Sequence, residues 1–240
     1  MENRHPVKKV LCFLLGLALL PFCGPALWVL VQCVRVLLEG PVRMSAAPAI
    51  AAVSGAAAAV VFIRLFGPWT KTYVLGHELT HALFALLCLM RPHNIHVGDD
   101  GGSVSVKKSN VLITLSPYFF PFWTAIAAGA WALAAWWVPA EYAQAVSCCG
   151  LFCVAGTWVF HLVYTVKILR ISQPDVKTYG RLFSYALILL LNTVFLALAL
   201  TLAGRWTFRD AWAWGVEAWR WQAANAVQAA EWVQARFFSR

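Results

Sequence analysis

The sequence predicts an all-α, multi-pass membrane protein of about six transmembrane helices. A short β-hairpin is expected after the third helix, and an amphipathic interfacial helix at the C-terminal end. Three observations lead there. Of the 240 residues, 61% are hydrophobic and only 12% charged, about half the charge expected of a soluble domain. The apolar residues fall in runs of roughly twenty or more, long enough to cross a hydrocarbon core of about 30 Å. Thirteen Trp, many near the ends of those runs, suit the two water–lipid boundaries.

The net charge of +9 does not mark a nucleic-acid binder. Lys and Arg sit mostly in short loops and at the two ends, where lipid headgroups attract them. No basic run is interleaved with aromatic residues in a polar segment, so the expected partner is the lipid bilayer and not nucleic acid. The seven Cys (Cys12, Cys23, Cys33, Cys88, Cys148, Cys149, Cys153) lie in or beside apolar runs without a C-x-x-C pair. That pattern predicts buried small side chains and no disulfide framework. Met1–Lys9 is basic like the start of a signal peptide. The apolar run behind it reaches about Leu38, holds Pro21 and Pro25, and ends without a small-x-small cleavage site, so a retained span is expected.

In chain order, span one is Val10–Leu38, with a kink expected around Pro21–Pro25. A polar link, Glu39–Ser45, leads to span two, Ala46–Phe66, whose Gly55 would let a neighbouring helix approach closely. Gly67-Pro68 reads as a turn. Span three, Trp69–Met90, is closed by Arg91-Pro92. Ile95 and Val97 then alternate with polar residues, as do Val104 and Val106, with Asp99-Asp100-Gly101-Gly102 between them: a hairpin. Span four, Val111–Val138, is interrupted by Pro117 and Pro121. Span five is Ala143–Leu169 and span six Phe183–Leu202. In the tail, Trp212, Val216, Trp219, Ala223, Val227 and Ala230 recur at helical spacing, which predicts an amphipathic helix at the membrane surface. Residues 1–204 read as one transmembrane domain with its core at about 69–203, followed by the Trp-rich helix 205–240.

Span three carries the chemistry. His77-Glu78-Leu79-Thr80-His81 is an H-E-x-x-H motif inside apolar sequence. On a helix, residues four apart share a face, so His77 and His81 can offer two imidazole nitrogens to one metal ion. Glu78 can then reach a metal-bound water and take its proton, as a general base. Ionisable groups inside a membrane segment are expensive, which argues for function. A catalytic zinc site commonly takes three protein ligands. Asp175, in Gln173-Pro174-Asp175 between two spans, is the leading third: counting crossings from Met90 brings it back to the side of His81. Pro174 would open a helix there, with Asp175 in its first turn. Glu141 is the rival, although the same count places it across the membrane. His161 reads better as a packing residue, His93 and His96 as surface groups, and Asp99 and Asp100 as turn formers.

These motifs together resemble the site-2 protease family of intramembrane zinc metalloproteases, in a compact form with no room for a PDZ domain between the hairpin and Asp175. Three features carry the likeness, in order: His77-Glu78-Leu79-Thr80-His81; the strand Gly101-Gly102-Ser103-Val104, similar to the family's Gly-Gly-Tyr-Val; and Gln173-Pro174-Asp175, similar to its Asn-Pro-Asp-Gly. The likeness spans about Tyr73 to Gly180. It implies Zn2+ held by His77, His81 and Asp175, with Glu78 as the catalytic base. It also implies substrate contacts at Gln173 and along Gly102, Ser103 and Val104. The substrate would be a membrane protein or peptide. Val176 stands where the family has Gly, and Gln173 where it has Asn.

Two other readings stay open: a membrane zinc peptidase ligated through Glu141, and a non-catalytic membrane protein that keeps the metal site for partner assembly. The expected location is the inner (plasma) membrane of a bacterium. Arg91, Lys107, Lys108, Lys167, Arg170, Lys177 and Arg181 on the motif's side favour a cytoplasmic site. Six spans would then leave the basic N-terminus and the tail outside, so the two signals conflict.

Overall fold

The structure, a computed structural model, describes residues 6–39, 46–66, 70–98, 101–171, 173–203 and 207–237. Most of the expected Glu39–Ser45 link, the Gly67-Pro68 turn and the Asp99-Asp100 turn lie outside them. The molecule is mostly helical with one small antiparallel hairpin. Among the described residues, four helices are long and apolar enough to cross a membrane, or five if one bent pair counts as a span. The chain divides into two compact units, one within Met44–Thr178 and the other formed by Met1–Arg43 with Tyr179–Arg240.

In the Met44–Thr178 unit, α2 (Ala46–Leu65) packs along α6 (Ala143–Leu169). The reason is Gly55. A Cβ there would run into the backbone carbonyl of Phe152, and one on Gly156 would lie 3.1 Å from the Gly55 oxygen. Glycine facing glycine lets the two backbones touch, the usual way to join helices where no hydrophobic effect operates. Gly55→Leu should therefore separate the pair, at a cost of about 3 kcal/mol or more because backbone cannot move aside as a side chain can. A fall in the thermal midpoint of the detergent-solubilised protein would register it, and an unchanged midpoint would contradict the packing.

The motif helix, α3 (Thr70–Leu87), is the centre of this unit and buries Tyr73, Val74, Gly76, Glu78, Thr80, Ala82 and Ala85. Its 18 residues span about 27 Å at 1.5 Å per residue. With Lys71, His77, Glu78 and His81 aboard it is not among the helices apolar enough to count as a span, unlike the third span read from the sequence. Its end also differs from expectation. Met90 N–H donates to Ala85 C=O at 2.8 Å and Leu89 N–H to Leu86 C=O at 2.9 Å. This Schellman closure puts Leu89 in the left-handed region at φ 58°, so the helix stops before Arg91-Pro92 is reached.

The hairpin pairs β1 (Pro92–Val97) with β2 (Gly102–Val106), in register Pro92 with Val106 and Val97 with Gly102. An irregularity between His93 and His96 holds Asn94 at φ 51°. The fourth expected span is two helices, α4 (Val111–Phe119) and α5 (Phe122–Trp137), bent by 70°. Pro121 explains the bend: its ring bars the preceding residue from helical geometry, and Phe120 is extended at φ −103°, ψ 109°. Asn110 caps α4 through a bond from Ile113 N–H at 2.9 Å. A one-turn 3-10 helix at Ala140–Tyr142 leads into α6, and α7 (Pro174–Tyr179) follows it.

In the second unit, α1 (Pro6–Glu39) runs unbroken through Pro21 and Pro25 and packs on α8 (Arg181–Ala203) and α9 (Phe208–Phe237). Gly16 makes the first contact possible, since a Cβ there would sit 2.8 Å from the Phe183 nitrogen. Pro25 has no N–H to give the Pro21 carbonyl, and Gln222 Nε2 of α9 donates to that carbonyl instead, at 3.0 Å. Trp219 stacks on Phe22 at 5.1 Å. The α9 surface toward α1 is small, with Gly215 and Ala218, so Trp212 and Trp232 of the expected amphipathic helix stay exposed. Thr207 and Asp210 start α9 as a reciprocal capping box, with Thr207 N–H to Asp210 Oδ2 at 2.8 Å and Asp210 N–H to Thr207 Oγ1 at 3.3 Å. Of the seven Cys, Cys12, Cys23 and Cys33 are buried, but Cys149 and Cys153 are exposed on α6, against the reading that all are internal. They join a broad exposed apolar surface, as expected of helices solvated by lipid.

Candidate metal centre

One turn of α3 sets the His77 and His81 rings 4.9 Å apart, nearly edge to face. Asp175, second residue of α7 behind Pro174, reaches both. Its Oδ2 lies 3.7 Å from His77 Nε2 and 3.6 Å from His81 Nε2. The three ligand atoms lie within 4.8 Å of one another and could hold one metal ion. A tetrahedral centre with bonds of ~2.0–2.1 Å sets its ligand atoms about 3.3 Å apart, so the group is slightly more open than a loaded site. Two imidazoles and a carboxylate suit a divalent metal and leave a coordination position for water or substrate.

The surroundings orient these groups. Asp175 Oδ2 accepts a hydrogen bond from the Tyr118 hydroxyl at 3.0 Å. Burial pushes the Asp175 carboxyl up, but the two facing imidazoles outweigh it and hold the group well below the usual carboxylate range. It is therefore ionised at neutral pH, as ligation requires. The His77 ring meets the Tyr118 ring nearly at right angles at 5.1 Å and lies 5.8 Å from that of Tyr73. Trp123 of α5 lies across Gly76, where a Cβ would stand 2.7 Å from the indole nitrogen, and donates to Thr72 C=O at 3.0 Å. That contact fixes the turn of α3 that carries His77.

His81 is oriented by a proline. Pro117 lies inside α4 and has no N–H for the carbonyl four residues back, that of Ile113. The Ile113 oxygen, freed of its helix partner, lies 2.6 Å from His81 Nδ1 and also accepts from the Ser116 hydroxyl at 3.2 Å. Donation from Nδ1 to this carbonyl sets the ring angle and, once Nε2 gives up its proton, leaves the Nε2 lone pair for a metal, the usual outer-sphere device of a metal-binding histidine. Pro117→Ala should restore a competing helix bond and weaken metal binding roughly tenfold, toward the lower end for loss of an outer partner. Chelator competition on the purified protein measures this. Affinity equal to wild type would mean the Ile113 carbonyl keeps the His81 bond beside a restored helix bond.

Glu78 is 5% exposed and packs directly against the hairpin. A Cβ on Gly102 would lie 2.5 Å from Glu78 Cγ and 2.8 Å from its Oε1. Gly102 thus touches the expected base itself, whereas Ser103 is exposed and Val104 half-buried farther along β2. Gln173 donates its side-chain amide to Ile168 C=O at 3.2 Å, at the end of α6. Glu141 is exposed in the 3-10 turn and lies outside the ligand group; His93 and His96 are exposed on β1. Sequence reading passed over Tyr118, Trp123 and the Ile113 carbonyl. Only Pro117 signalled any of them, because a proline in a helix always frees one carbonyl. No family model, curated protein or solved structure matches the chain.

Proposed function

We propose that this protein is an intramembrane zinc metalloprotease that hydrolyses a peptide bond in or near a transmembrane segment of a membrane-protein substrate. The observation that carries the reading is the convergence of His77, His81 and Asp175 from two distant helices, with Glu78 buried one residue from His77. In this reading His77, His81 and Asp175 hold Zn2+. When bound, zinc supplies Lewis acidity to the scissile carbonyl and makes water acidic enough to lose a proton near neutral pH. The Glu78 carboxylate takes that proton and returns it to the leaving amine. Tyr118 and the Ile113 carbonyl keep two of the ligands aimed. A membrane helix hides its amides in its own hydrogen bonds, so the substrate segment has to unwind before it can be cut. The edge of β2 then offers main-chain partners to the extended segment, with Gly102 beside Glu78.

The test is cleavage of a transmembrane reporter by the purified protein in lipid. Glu78→Gln should lower the rate by about 10²–10⁴-fold while zinc stays bound, the span attributed to a positioned general base. Bound zinc with no cleavage by wild type, indistinguishable from Glu78→Gln, would favour a metal site used for assembly.

A further inference from the structure

We propose that His161 is the outer partner of the metal-binding His77, a positioning residue whose Nε2 takes up the hydrogen bond of His77 Nδ1–H through one bridging water molecule. The inference deepens the metal-site reading and rests on it. A histidine that gives Nε2 to a metal needs an acceptor for the proton on Nδ1, which sets both tautomer and ring angle. His81 has one in the Ile113 carbonyl. His77 does not: its Nδ1 is buried with no partner. Two other side-chain atoms among the described residues share that condition, Thr124 Oγ1 and His161 Nε2.

Place separates these two. His161, on α6, is 6% exposed and lines the same cleft as His77, together with Thr80 and Trp123; Thr124 does not line it. The cleft's cavity volume is ≈ 10 Å³, the lower limit for holding one water molecule. The two histidines, one with a buried nitrogen needing an acceptor and one with a buried nitrogen able to be that acceptor, therefore line a space the size of one bridging water. A buried nitrogen left unsatisfied is costly, and one water that accepts from His77 Nδ1–H and donates to His161 Nε2 removes both penalties at once. A third histidine buried beside Tyr73, Trp123 and Phe160 is expensive in a membrane protein, which argues for a role.

The experiment uses the full chain in detergent micelles and measures affinity for Zn2+ and for Co2+ by chelator competition, with the Co2+ absorption spectrum as a report on ligand geometry. His161→Phe fills the space without an acceptor and should weaken binding roughly 10–100-fold and shift the spectrum. His161→Gln keeps an acceptor oxygen and should stay within several-fold of wild type. Thr124→Val, which removes the third orphaned atom, should match wild type. Unchanged affinity and spectrum in His161→Phe would overturn the proposal. Equal losses in His161→Phe and His161→Gln would also overturn it, because they would mean that packing alone matters. Loss of peptide cleavage with unchanged metal affinity would move His161 to the substrate and overturn it as well. A wild-type protein that binds neither metal would sink the metal-site reading itself, an outcome distinct from a wild type that binds and a His161→Phe that binds equally well.

Discussion

Asp175→Ala should strip the site of metal: affinity for Zn2+ is expected to fall by more than about 100-fold, beyond the loss caused by removing an outer partner. The expectation follows from geometry. Both Nε2 atoms face one carboxylate oxygen at 3.6–3.7 Å, so Asp175 closes the only three-ligand group among the described residues. Two imidazoles one helical turn apart remain in the variant, and two ligands hold zinc poorly. Asp175→Ala also removes the hydrogen bond between the Tyr118 hydroxyl and Asp175, so a modest loss of stability should accompany the loss of metal. Zinc stoichiometry after dialysis, read beside Glu78→Gln, separates the roles: Glu78→Gln keeps the metal and Asp175→Ala does not. Full zinc in Asp175→Ala would remove Asp175 from the ligand set and return Glu141 to consideration.

The second large effect concerns a residue with no functional group. Gly102→Val should reduce cleavage about 100-fold or more while zinc stays bound. Even the first carbon added at Gly102 meets Glu78 Cγ at 2.5 Å, its Oε1 at 2.8 Å and Val74 Cγ1 at 2.8 Å. The carboxylate has to move, and a displacement of about 1 Å at a reacting group is worth roughly 10² in rate. The three atoms nearest a Cβ at Gly102 belong to Glu78 and Val74 and none to His77, His81 or Asp175, so metal content is the internal control. Rates near wild type in Gly102→Val would show that Glu78 has room to swing aside, and would weaken its assignment as a positioned base.

The resemblance implied Gly102 as a substrate contact through its place in the Gly-Gly-Ser-Val strand. The structure gives the glycine a further reason: it is the only residue small enough to let β2 lie on the base. Nothing in the local sequence reports this, because the contact joins a strand to a helix more than a turn of chain away. The same holds for the outer partners. Sequence reading treated Pro117 as an interruption of a span. Its consequence, a carbonyl offered to a histidine 32 residues earlier, exists only once α4 is packed against α3. Pro25 repeats the device in the other unit, where Gln222 takes the freed carbonyl.

What the sequence determined by itself was local or compositional. Low charge and long apolar runs established a membrane chain, since few folds outside lipid leave that much apolar surface uncovered. The i, i+4 spacing settled that His77 and His81 share a face, and strand alternation around Gly101-Gly102 settled the hairpin, because both periods are properties of the backbone. The tertiary structure decided the rest. Pro121 turned one expected span into two helices at 70°, and the polar load of α3 leaves that helix less apolar than the four described helices able to cross a membrane. Helix packing brought Asp175, Tyr118 and His161 around His77. A ligand group assembled from separate helices depends on crossing angles and close approaches set by residues such as Gly55 and Gly76, and no window of sequence contains them.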